Sequence, residues 1–120
     1  MADTAPLAVV LRDVAATYPL PVRVDRDGDI DWITVAGGDG RAGVRSDEAL
    51  PPAERLAAVA DQVADWLVEA LPGAGRPAVW PGCPRHPGTH PLRPQMAGGE
   101  AVWACPAGGD VVAAIGSLGG

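Results

Sequence analysis

Two cysteines and two histidines are the only thiols and imidazoles in this 120-residue chain, and they fall close together as Cys83, His86, His90 and Cys105. Thiolate sulfur and imidazole nitrogen are the donors that Zn²⁺ prefers, and two of each complete a tetrahedron. The first three lie in Cys83-Pro84-Arg85-His86-Pro87-Gly88-Thr89-His90-Pro91-Leu92, and the fourth in Val102-Trp103-Ala104-Cys105-Pro106. Prolines 81, 84, 87, 91 and 94 fix their own φ and push each preceding residue out of the α region, so no helix forms here. A CxxH pair on such an irregular turn can chelate one ion while nearby backbone N–H groups bond the thiolate. The spacing therefore predicts one structural zinc ion held by Cys83, His86, His90 and Cys105.

Other chemistries compete for the same residues. They are reduced thiols beside surface histidines, a Cys83 to Cys105 disulfide in an exported protein, a three-ligand zinc with an open water position and His90 as base, and a Cys83 nucleophile with a histidine partner. Neither catalytic reading has a carboxylate in the local sequence to orient an imidazole. The HxE and PCxxC pattern of zinc deaminases is absent, as are GxSxG, HExxH and Walker motifs.

The elements that must carry these ligands can be read from periodicity. Leu7, Val10, Leu11, Val14, Ala15 and Tyr18 follow an amphipathic helical repeat over Ala5 to Tyr18, with Arg12 and Asp13 assigned to the wet face. Asp3 or Thr4 can cap this helix, Pro6 suits its first turn and Pro19 ends it. Pro21 to Val35 reads as a β-hairpin with a three-residue Arg26-Asp27-Gly28 loop, which sets Val24 opposite Ile30, Val22 opposite Trp32 and Arg23 across from Asp31. Asp25, Asp27, Asp29 and Asp31 alternate along it, but Ile30 and Ala36 stand where a calcium-binding loop needs Gly and Glu, so a solvated tip is expected. Gly37 to Gly40 is a turn, and Arg41 to Arg45 a short third strand completing a meander.

A long helix over Pro52 to Leu71 follows, with Leu56, Val59, Ala60, Val63, Leu67, Ala70 and Leu71 on one stripe and Trp66 at its border. Pro72 to Pro77 is a connector. Leu92 to Met96, Ala101 to Ala104 and Val111 to Ile115 then read as strands, with Gly98-Gly99 turning the chain so that Cys105 returns beside Cys83. The expected fold class is α+β in a single domain: N-terminal helix, antiparallel three-stranded meander, long helix, then a zinc-stapled β-hairpin unit over residues 78 to 120.

Composition bounds the function. The chain carries 9 basic against 15 acidic side chains, a net charge of −6. Every basic residue is arginine, and the usage is that of a high-GC bacterial genome. The acid excess argues against coating nucleic acid or an anionic membrane through the global field. No apolar run is long enough to span a bilayer, and Met1-Ala2-Asp3-Thr4 lacks the cations of a secretory signal, so a cytoplasmic address with reduced thiols is expected.

Residues 79 to 116 resemble a zinc ribbon, with a CPxH knuckle, a β-hairpin and a WxCP knuckle, and are similar to the CPxH, HPL and WxCP tails of small uncharacterised actinobacterial proteins. The resemblance implies a structural Zn²⁺ site. A full ribbon has its fourth ligand three residues after the second cysteine; that position is Gly108 here, which leaves His90 to close the site.

Between Leu71 and Gly99 the chain holds Arg76, Arg85 and Arg93 and no acid, a cationic segment in an acidic protein. The leading expectation is a non-enzymatic interaction or adaptor protein, in which zinc presents Trp80, Arg85, Arg93 and Trp103 to a protein partner, with core packing as the alternative for the tryptophans. Nucleic-acid binding by the ribbon-like tail and a small metalloenzyme are the alternatives. Loss of either cysteine is expected to unfold the C-terminal third and spare the long helix.

Overall fold

The computed structural model describes residues 5–28, 30–35, 40–86 and 89–118. Its architecture is α+β: helix α1 (Pro6–Thr17), strands β1 (Val22–Asp27), β2 (Ile30–Val35) and β3 (Ala42–Val44), helix α2 (Pro52–Ala70), then strands β4 (Arg93–Ala97), β5 (Glu100–Ala104) and β6 (Val111–Ala114). The strands form two antiparallel sheets, ordered β1-β2-β3 and β4-β5-β6. Among the described residues no helix is long and apolar enough to cross a membrane. Asp3, Thr4, Asp29 and the Gly37–Asp39 part of the expected turn lie outside the described residues.

Proline fixes the start of both helices, because the first turn has no use for its missing N–H. Glu54 adds a carboxylate to the positive end of α2. Val59, Ala60, Val63, Ala64 and Leu67 form the buried stripe of α2, which packs on α1 along one side and on β3, β4 and β5 along others. Leu7, Val10 and Val14 of α1, Ile33, Val35 and Val44 of the first sheet, and Ala101, Trp103 and Ile115 of the second region join them in one continuous core.

The first hairpin differs from the expected register. Val22 lies opposite Val35, Val24 opposite Ile33, and Asp27 opposite Ile30, which leaves a two-residue turn after Asp27. Gly28, at φ +66°, supplies the left-handed conformation that a tight turn requires. The odd shift exchanges the faces of β2. Ile33 and Val35 enter the core, whereas Trp32 goes to the outer face, where its indole stays half-exposed. Consequently Arg26, not Arg23, meets Asp31, at 3.9 Å, and Arg23 approaches Asp25 along its own strand at 3.7 Å.

Asp13 is the second correction. It is 0% exposed, not on the wet face. Its carboxylate accepts from the Trp103 indole N–H at 2.7 Å and from the backbone N–H groups of Gly116 at 2.6 Å and Leu118 at 2.8 Å. Helical periodicity placed it beside the buried stripe of α1, but three donors arriving from distant sequence cover it.

Candidate metal centre

Each ligand is placed by a distinct local device. Cys83 and His86 sit on a turn closed by the His86 N–H donating to the Cys83 carbonyl at 3.2 Å. A bridge between Gly82 and Pro91, with the Leu92 N–H donating to the Pro81 carbonyl at 2.7 Å, ties the start of this loop to its return. His90 therefore comes back over the turn that holds Cys83. Cys105 follows β5 directly and opens the second knuckle, where its N–H donates to the Asp110 carbonyl and its carbonyl accepts from Gly109 N–H. Gly109 takes φ +75° to make that return possible.

These devices bring Cys83, His86, His90 and Cys105 together, with one donor atom from each and all four within 4.8 Å of one another. Among the described residues no other group of three or more metal-ligating side chains converges in this way. The Cys83 Sγ and Cys105 Sγ atoms lie 3.6 and 3.7 Å from His86 Nδ1, Cys105 Sγ lies 3.9 Å from His90 Nε2, and the two nitrogens are 3.1 Å apart. A tetrahedral zinc with bonds of about 2.3 Å to sulfur and about 2.0 Å to nitrogen places S···N pairs at about 3.6 Å and N···N pairs at about 3.3 Å. Those four separations match that geometry, whereas the wider spacing elsewhere in the set, up to 4.8 Å, has to close for all four donors to reach one ion.

The surroundings favour the ligating forms. Pro91 offers only a carbonyl to His90 Nδ1, 3.2 Å away, so Nδ1 carries the proton and donates, leaving the lone pair on Nε2 directed at the cluster. The backbone N–H of Gly108 holds the Cys105 thiol below its ordinary range, burial opposes it, the Ala107 N–H and the Cys83 thiol add to the lowering, and the Asp110 carboxylate works against it. Gly108 thus serves the cysteine through its backbone. Both sulfurs are sealed from solvent, at 1% exposure each, while His86 is exposed and His90 half-buried. The histidines form the outer lip of the cluster and the cysteines its floor.

Of the residues proposed to meet a partner, the structure separates three fates. Trp80 is 3% exposed: its ring packs edge-on between Tyr18 and Trp103, at 5.8 and 5.7 Å, and its indole N–H donates to Thr17 Oγ1. It is a core residue and cannot offer its ring to a partner, and Trp103 is wholly buried as well. Arg85 is paired with Asp110 at 3.0 Å, across the two knuckles. That pair cancels part of the cationic character that the segment shows in sequence, since Asp110 lies beyond the stretch free of acids. Arg93 is exposed. Sequence reasoning missed Asp110, and the only trace of it was its position just after the second glycine-rich turn.

Comparison of the chain with protein-family models, with curated proteins and with solved structures finds no match.

Proposed function

We propose that the four-residue cluster binds a single structural Zn²⁺, and that the protein is a small non-enzymatic interaction or adaptor protein whose C-terminal unit is pinned by that ion. The observation that carries this reading is the convergence of two sulfurs and two nitrogens within 4.8 Å of one another, four of their separations being those of a tetrahedral ion. Four protein ligands close the coordination sphere, and a closed sphere is the mark of structural zinc, because catalytic zinc keeps a position for water. Softness of the donor set selects zinc over calcium or magnesium, which take oxygen. The interaction surface would lie beside the cluster on the strands that flank β5, where Arg93 and the 54% exposed Val111 stand on either side of the buried Ala104.

The deciding experiment is elemental analysis of protein purified without a histidine tag, together with Cys83→Ser. One equivalent of zinc in the wild type, lost in the variant, supports the site. Folded, reduced protein that carries no metal and takes none up from zinc-buffered solution would overturn it.

A further inference from the structure

The outer face of the first sheet carries an ordered pattern of charge that the metal centre does not use. Strand alternation puts Ile33, Val35 and Val44 in the core, so Ile30, Trp32 and Thr34 of β2 face outward together with Arg23, Asp25 and Asp27 of β1. Trp32 lies opposite Gly43 of β3, and the same register extended one step each way sets Thr34 beside Arg41 and Ile30 beside Arg45. A Cβ on Gly43 would stand 3.1 Å from Ile30 Cγ2 and 3.3 Å from the Trp32 ring, so both side chains lie across that glycine. Arg41 covers the indole, its guanidinium carbon 4.1 Å from the ring centroid. The face has an apolar centre, Ile30 and Trp32, between an edge with two carboxylates, Asp25 and Asp27, and an edge with two guanidiniums, Arg41 and Arg45.

We propose that this face is an isologous interface between two copies of the chain. A two-fold axis running along the strands, between two such faces, lays the acidic edge of each copy over the basic edge of the other. Asp27 then meets Arg45 of the second copy. Asp25 falls over Gly43, where no side chain stands in its way, between Arg41 and Arg45. Arg23, which lies in line with Arg41, is already drawn toward its own Asp25 at 3.7 Å. Stacking the faces covers Trp32 and Ile30, and an aromatic centre ringed by complementary charge is a common build for a specific contact. An axis across the strands would set Asp25 on Asp25 and Arg41 on Arg45, with Asp27 on Arg23 as the one favourable pairing, so charge favours the axis along the strands.

Two single variants and their mixture test the proposal by sedimentation equilibrium at low and at high salt. The wild type should dimerise, more weakly as salt rises. Asp27→Arg and Arg45→Glu should each raise the dimer dissociation constant by about tenfold or more, since each sets like charges together at both edges. Mixing the two variants should restore a dimer, because Arg at position 27 then faces Glu at position 45 and the native pair forms at the other edge. Circular dichroism checks that both variants are folded. A wild type that stays at monomer mass at millimolar concentration, a dimer indifferent to both reversals, or a mixture no tighter than its components would each overturn the assignment. The result is independent of the metal, whose content is measured on the same samples.

Discussion

Replacing Asp13 by alanine should be the most damaging single change outside the metal cluster. The carboxylate receives three hydrogen bonds, at 2.7, 2.6 and 2.8 Å, from the Trp103 indole and the backbone of Gly116 and Leu118. Alanine leaves all three donors without a protein acceptor. A buried donor left unpaired costs about 1–3 kcal/mol. The indole sits in a wholly buried side chain and bears the full penalty, whereas Gly116 and Leu118 are half-buried and water can reach them. The sum is about 3–5 kcal/mol, a large part of the roughly 5–15 kcal/mol that holds a domain of this kind together. With an unfolding entropy of about 2.1 cal/mol/K per residue, a chain of this length should melt roughly 12–20 °C lower. Thermal unfolding followed by far-UV circular dichroism reads the shift. Asp13→Asn should fall between, since its amide keeps one acceptor oxygen but turns an N–H₂ toward N–H donors. A loss below about 1 kcal/mol in Asp13→Ala would refute the assignment of Asp13 as the tie between α1 and the chain's C-terminal segment.

Gly116→Ala should cost about 2–4 kcal/mol in chemical denaturation, because its φ of +101° suits glycine and a Cβ would stand 2.7 Å from Val9 Cγ1. Tyr18→Phe should cost about 1 kcal/mol, since the phenol donates to the Leu67 carbonyl at 2.7 Å. Burial raises the Tyr18 pKa above the ordinary value of 10.0, so stability should be level below that pH and fall as pH climbs toward the raised value, a decline that Tyr18→Phe abolishes in alkaline titrations. Gly43→Ala should weaken the domain by about 1 kcal/mol and change the Trp32 fluorescence, because the added methyl presses on the ring.

The elements and the ligands could be read from sequence because each rests on local rules. Proline at the head and foot of both helices, the apolar stripe of α2, and the Gly98-Gly99 turn all act within a few residues. The cluster was legible for a different reason: Cys83, His86, His90 and Cys105 are all the cysteines and histidines of the chain, and one hairpin suffices to bring them together. What failed was long-range. The face of Trp32 depends on the turn register: a loop over Arg26-Asp27-Gly28 gives the better local match of apolar residues, whereas the turn that forms pairs Asp27 with Ile30 and buries Ile33 and Val35 in the shared core. Asp13 is a charged residue on a helix, and nothing within α1 announces that Trp103 and Gly116 will arrive to cover it. Trp80 shows the same limit: tryptophan suits both interfaces and cores, and only the Tyr18 and Trp103 rings on either side settle which.

Those rings also bear on what metal removal should do. Sequence organisation suggested a C-terminal third that could unfold by itself, but the packing joins it to the rest of the molecule. Trp103 lies two residues before Cys105 and Trp80 three before Cys83; the two indoles pack edge-on with each other, Trp80 packs on Tyr18, and Tyr18 bonds to α2. β4 and β5 rest on α2 directly. If the cluster holds zinc as proposed, withdrawing it releases the two strand ends that position Trp80 and Trp103 and so opens the centre of the shared core, not its margin. A strong chelator should therefore lower the midpoint of a single transition in which tryptophan fluorescence and helical dichroism are lost together, by an amount large against total stability. Loss of the tryptophan signal well before the helical signal would show that the zinc-bearing unit and the helices fold separately.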